Sequence, residues 1–215
     1  TEGKMAVTGI VTADQELSAE ELHDKEILQS KASSVSQRLA LSGLLSNDAF
    51  VENPGAENDE LIIRGTLTEQ ALIRVAIQFG FDTYEEDKKN ELIDQILFSS
   101  DHKYSASLRK MSDTHLDLYV IGAPEQIIKR TKSLVVGDRE LSQDSDEYKK
   151  IIARLEDFVS QGYRVVASAY KAVSLDVKYD DLHEVVNNVS LLGFIVLTDP
   201  IREDVVGAFT ETNRA

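Results

Sequence analysis

Hydrophobic residues recur along this chain with two periods, one helical and one alternating, and the switch between them divides it into elements. Lys4 to Ala13 is β-branched and bounded by polar residues, which predicts an opening strand. Ser18 and Glu21 stand at capping-box spacing before a short acidic helix. Val35 to Leu45 carries apolar residues on one helical face and stops at Ser46-Asn47-Asp48. The polar stretch Glu52 to Glu60, with Pro54 and Gly55, reads as a loop. From Thr66 to Phe79 the residues Leu67, Ala71, Leu72, Val75, Ala76 and Phe79 form a helical stripe, and Gly80 suits the position after its end. Strand periodicity then takes over. Ile93 to Phe98, His102 to Lys110 and Leu116 to Ile121 read as strands joined by Ser99-Ser100-Asp101 and Ser112-Asp113-Thr114.

Pro124 opens a short helix through Lys129. Tyr148, Ile151, Ile152, Leu155, Phe158 and Val159 make an apolar stripe that Gly162 ends. Tyr163 to Tyr170 and Val189 to Leu197 are the last strands, and Pro200 precedes a further helix from Glu203. Closely spaced strands favour antiparallel pairing. The fold class is therefore α/β (α+β): a twisted, largely antiparallel sheet flanked by helices, without internal repeats.

Composition narrows the function. At 215 residues, 42% hydrophobic and 28% charged, the chain can bury a real core, which excludes a disordered or fibrous protein. The excess of 38 acidic over 23 basic residues gives a net charge of −15, which opposes binding of nucleic acid. Any phosphate site must then be local, built from a few cations. With no cysteine, disulfides, thiolate zinc sites and cysteine nucleophiles are excluded. His23, His102, His115 and His183 are scattered without metal-ligand spacing, so no metal site is expected. The longest apolar run, Leu191 to Leu197, falls far short of the ~20 residues that cross a bilayer. The chain begins at Thr1 without a signal sequence and reads as a piece of a longer protein.

The common catalytic signatures are absent: no Gly-x-x-x-x-Gly-Lys loop, no Gly-x-Gly-x-x-Gly, no Gly-x-Ser-x-Gly elbow and no His-Glu-x-x-His. Several smaller patterns stand in a telling order. They are Thr1-Glu2-Gly3-Lys4-Met5, Ser46-Asn47-Asp48-Ala49, Gly65-Thr66-Leu67-Thr68-Glu69-Gln70-Ala71-Leu72 and Phe98-Ser99-Ser100-Asp101-His102-Lys103. Gly122-Ala123-Pro124-Glu125, Gly162-Tyr163-Arg164-Val165 and Thr198-Asp199-Pro200-Ile201-Arg202 complete the series. Together they resemble the cytoplasmic nucleotide-binding domain of a P-type cation-transporting ATPase, over nearly the whole chain. Thr1 corresponds to the last residue of that family's Asp-Lys-Thr-Gly-Thr-Leu-Thr motif, whose phosphorylated aspartate would lie just upstream.

The resemblance implies roles that compete with plainer readings. Phe98, by periodicity a core position, would stack on adenine, where a flat ring gains buried area. Lys103, otherwise a solvated strand lysine, would line the pocket near the phosphates, and Ser100 would be among the nucleotide-binding residues. Glu69 fits a capping box with Thr66 and, by resemblance, lies near the adenine amino group. Arg164, otherwise a surface residue, would contact phosphate. Gly122 and Ala123, otherwise a turn before Pro124, would let the ligand approach the backbone. The family's lysine before Gly-Ala-Pro-Glu is Ile121 here, which cannot meet a phosphate.

The implied division is a hinge segment over 1–5, a nucleotide-binding domain over 6–197, and a hinge with the start of the phosphorylation domain over 198–215. The implied ligand is ATP with Mg²⁺. The implied partners are the phosphorylation, actuator and transmembrane domains of a parent pump, with no nucleic acid and no direct membrane contact. The chain would be a cytoplasmic domain of an integral membrane protein, unable to turn over by itself because the catalytic aspartate is missing. Two alternatives stand beside this reading. One is an interaction or regulatory module with weakened nucleotide affinity; the other, a soluble phosphatase of the related superfamily, lacks its Asp-x-Asp nucleophile here.

Overall fold

The computed structural model describes residues 5–54, 56 and 60–198. The first strands are β1 (Ala6–Val11) and β2 (Glu16–Ser18), followed by α1 (Ala19–His23), α2 (Lys25–Lys31) and α3 (Ser34–Leu45). A small hairpin, β3 (Phe50–Val51) and β4 (Ile63–Arg64), flanks the polar loop and leads to α4 (Leu67–Gln78) and α5 (Thr83–Lys89). The middle holds β5 (Glu91–Ile96), β6 (Tyr104–Lys110), β7 (His115–Gly122) and α6 (Pro124–Ile128). After them come β8 (Thr131–Val136), β9 (Arg139–Ser142), α7 (Asp146–Ser160), β10 (Arg164–Ser174), a 3-10 turn (Leu182–Glu184) and β11 (Val189–Thr198). The hinge residues 1–4, Asp199-Pro200 and the helix expected from Glu203 lie outside the described residues.

Nine strands form one sheet with the path β2-β1-β11-β10-β7-β6-β5. Pairing along that path is antiparallel, as expected. The exception is β8, which runs parallel beside the first residues of β11 and carries β9 on its other side. The β8-β9 hairpin was not legible as strand, because Thr131 to Ser142 mixes charged and apolar residues without a clean alternation. β11 is buried along nearly its whole length, which explains its unbroken apolar sequence.

Both faces of the sheet are covered. On one, α6 and α7 bury Ile127, Tyr148, Ile151 and Leu155 against Leu118, Val120, Phe194 and Val196. On the other, α3 and α4 bury Leu39, Ala71, Leu72 and Val75 against Ile10, Ile121, Val166 and Ile195. Val159, included in the α7 stripe by its spacing, is exposed instead, one residue before the helix end. Serine and acidic caps start the helices. Ser18 with Glu21 and Thr66 with Glu69 form complete capping boxes, and Ser145 caps α7. Among the described residues no helix is long and apolar enough to cross a membrane.

Candidate functional site

A cleft of about 750 Å³ opens at the end of the sheet where β6 begins, β7 ends and β10 begins. Its floor is apolar. Leu72 of α4, Ile121 of β7 and Val166 of β10 reach it from the core beneath α3 and α4, and Ile121 is only 3% exposed. Strand alternation accounts for this: Ile121 and Val166 sit on the helix-covered face, whereas Val120 and Ala167 turn to the other.

One wall is the loop joining β5 to β6. Phe98 was expected on a strand, but β5 ends at Ile96, and Phe98 stands beyond it with its ring 58% exposed at the cleft. The loop closes tightly. The Lys103 N–H donates to the Ser99 carbonyl at 2.8 Å, and the Lys103 carbonyl accepts from Ala123 N–H at 2.9 Å. Lys103 has φ 57°, a left-handed conformation that side chains other than glycine adopt at a cost unless their surroundings hold them. The turn puts its ammonium on the cleft wall, 3.7 Å from a carboxylate oxygen of Glu125.

Gly122 lines the cleft and is also pressed against the neighbouring strand. A Cβ there would lie 2.4 Å from the Lys103 carbonyl oxygen and 2.6 Å from the Tyr104 Cα. The missing side chain therefore gives room to the neighbouring strand.

The opposite wall is the N-terminus of α4. Thr66 caps Glu69 N–H, and Glu69 Oε2 accepts from Thr66 N–H at 2.7 Å, so one carboxylate oxygen is committed to the helix. The other has no hydrogen-bond partner among the described residues. Asn47, just past α3, braces this wall by donating to the Glu69 carbonyl at 2.9 Å. Arg164, the first residue of β10, extends over the same turn, its Nη1 3.4 Å from Thr68 Oγ1. Nearby Asp48 has its pKa raised, by burial first and by the charge of Glu69 second. The cleft thus holds Lys103 and Arg164 against Glu69 and Glu125, a small local cation pair in a strongly acidic chain.

All seven residues singled out in the sequence, Glu69, Phe98, Ser100, Lys103, Gly122, Ala123 and Arg164, line this one cleft. Leu72, Ser105 and Val166 line it as well and carry no sequence signal beyond ordinary core or strand periodicity. Among the described residues no group of three or more His, Asp or Glu side chains is arranged to hold a metal.

A family model described as P-type ATPase, cytoplasmic domain N, matches residues 35–204. The cation-transporting ATPase pma1 of Synechocystis is 30% identical over 175 residues, covering 81% of this chain and 18% of that protein. A calcium-transporting ATPase of Bacillus subtilis is 26% identical over 195 residues, covering 90% of this chain and 21% of its own length. The human potassium-transporting ATPase alpha chain 2 is 24% identical over 177 residues, covering 75% and 17%. The chain therefore spans about a fifth of the length of these relatives.

Proposed function

Because this chain belongs to the family of P-type ATPase cytoplasmic N domains, we propose that it binds ATP and presents the γ-phosphate to a catalytic aspartate in an adjoining domain of a cation-transporting pump. The observation that carries the reading is the cleft itself: an exposed aromatic ring beside an apolar floor, with two cations on the same lining. A purine needs the first part and a polyphosphate the second.

In this reading adenine stacks on Phe98 above Leu72, Ile121 and Val166, and the free oxygen of Glu69 accepts from the adenine amino group. Lys103 and Arg164 meet the phosphates, which leaves about half of the triphosphate charge to be balanced elsewhere. Mg²⁺ arrives with the nucleotide as its counter-ion, since the described residues offer no metal site of their own. Residues 6–197 act as the nucleotide-binding unit, and the segments 1–5 and 198–215 serve as hinges. Their closure brings the nucleotide to the phosphorylation domain, and phosphoryl transfer yields an aspartyl phosphate that the actuator and transmembrane domains use for ion transport. Ile121 in the floor gives a second reading its footing, a nucleotide-weakened regulatory module.

Titration of the chain with ATP, AMP and GTP separates the two. The ATP reading expects saturable, adenine-selective binding, weakened by about tenfold or more in Phe98→Ala, given the roughly 1–3 kcal/mol of a base–aromatic stack. Lys103→Ala weakens ATP more than AMP. Equal affinity of Phe98→Ala and the parent, or no binding by a folded chain, overturns the ATP reading and leaves the regulatory one.

A further inference from the structure

Of the two cations lining the cleft, one is already paired. Arg164 Nη1 lies 3.4 Å from Thr68 Oγ1 and 4.0 Å from Met5 Sδ, both neutral groups, and among the described residues its guanidinium forms no ion pair. Lys103 has a counter-ion: its Nζ stands 3.7 Å from Glu125 Oε1. Among the described residues Lys103 is the one partner of that carboxylate, whereas Glu69 on the opposite wall spends an oxygen on its helix cap.

The backbone sets this pair up. Lys103 ends its loop in a left-handed turn, and its carbonyl accepts from Ala123 N–H at 2.9 Å. Tyr104 lies opposite Gly122 in the register of β6 with β7. Pro124 then opens α6, and its ring fixes the backbone that carries Glu125 in the first turn. Lys103 and Glu125 therefore project from adjoining points of one hydrogen-bonded frame, and parting them asks only their side chains to move. Those side chains are 53% and 60% exposed, so the pair is weak and screened by salt.

Resting on the ATP reading above, we infer that Glu125 is a built-in counter-ion of the phosphate site, displaced from Lys103 by the nucleotide, and that it holds down the affinity for the triphosphate. Phosphate and the Glu125 carboxylate compete for one ammonium, a point charge on a flexible stem. When phosphate takes Lys103, the carboxylate loses its partner and remains well within a Debye length of the incoming charge, so it also repels the nucleotide. Both effects grow with the charge of the phosphate chain and leave the adenine contacts untouched. Glu125 therefore sets how much the cleft gains from each added phosphate, while Arg164 is the cation that receives a phosphate without first giving up a carboxylate.

The test is Glu125→Gln, which keeps the shape of the side chain and removes its charge. Calorimetric titration of the chain is expected to show ATP bound about two- to fivefold more tightly, the range of an exposed ion pair, with a smaller gain for AMP. The gain shrinks at about 0.5 M salt, where screening is nearly complete. Two comparisons separate this pair from a general loss of negative charge. Asp101→Asn removes one charge from the same loop outside the cleft lining and leaves the affinity near that of the parent. In a Lys103→Ala background, Glu125→Gln gives a smaller gain than in the parent, a coupling that a double-mutant cycle measures. Inorganic tripolyphosphate, titrated in place of ATP, reads the phosphate site without the adenine contacts and is tightened by Glu125→Gln in the same way. An ATP affinity that is unchanged in Glu125→Gln, or raised equally in Asp101→Asn or with Lys103 absent, overturns the inference and leaves the ATP reading standing. Weaker binding of Mg²⁺-ATP by Glu125→Gln also overturns it, and gives the carboxylate to the metal ion. Tripolyphosphate tightened by Glu125→Gln in a chain that binds no ATP overturns the ATP reading alone, and binding of neither overturns both.

Discussion

Replacing Gly122 with alanine asks what the glycine is for. In the structure the added methyl carbon meets the Lys103 carbonyl oxygen at 2.4 Å and the Tyr104 Cα and Cβ at 2.6 Å each. Backbone, not a flexible side-chain end, is what blocks it, so β6 and β7 must part by close to an ångström at their narrowest pair. Overpacking of this kind costs about 1–3 kcal/mol, and two engaged backbones place Gly122→Ala in the upper part of that range. For a chain of this size the melting temperature then falls by roughly 4–12 °C. Gly137→Ala is the comparison: its Cβ meets nothing within 4 Å, and only the positive φ of 57° opposes it, at about 1–2 kcal/mol. Thermal unfolding followed by circular dichroism measures both. Because Lys103 shares the strained pair, ATP affinity falls together with stability in Gly122→Ala. An unchanged melting temperature with lost ATP binding refutes the steric argument and returns the glycine to the ligand.

Thr66→Ala removes half of the capping box and is expected to cost about 1 kcal/mol in denaturant unfolding, with a weaker ATP affinity as Glu69 loses its fixed orientation. Arg109, 5% exposed, donates to Asp87 at 2.6 Å and to the carbonyls of Asn90 and Leu45 at 3.0 and 2.9 Å. Arg109→Leu leaves both carbonyls unpaired and destabilises by about 2–4 kcal/mol, read as a lower midpoint in urea. Asp117 is buried on the same face, and burial pushes its carboxyl pKa up, with His115 and Arg38 opposing. A raised folded-state pKa means that the folded chain binds the proton more tightly, so its contribution to stability falls as pH rises from the unfolded value of about 3.9 through the folded one. Asp117→Asn therefore raises the melting temperature at neutral pH, and the gain shrinks as the pH approaches about 4.

The helices were legible because their signals are local. Ser18 with Glu21, Thr66 with Glu69, and Gly80 and Gly162 at the ends fix boundaries within a few residues of chain, and the structure has each cap in place. The strands from Leu92 to Ile121 were legible as a group, but their ends were not. Whether β5 stops at Ile96 or Phe98 depends on a turn whose left-handed residue is a lysine, a conformation no propensity marks. The β8-β9 hairpin escaped because its pairing with the start of β11 is made across more than fifty residues of chain. At the cleft, the motif positions were readable one at a time by resemblance, while the apolar floor was not. Leu72 and Val166 look like any core residues until the sheet end opens above them. Gly122 stood out in the sequence by its motif, but its neighbour across the strand pair is visible only in three dimensions.

The most direct measurement is a map of amide chemical-shift changes in the labelled chain on adding ATP with Mg²⁺. The account predicts saturable changes confined to the cleft, at Asn47, Ser100, Lys103, Gly122, Ala123 and Arg164. The second cavity, of about 240 Å³ between Arg38, Arg139 and Tyr170, serves as an internal control and stays unchanged. Changes centred on that second cavity, or none at saturating ATP, would contradict it.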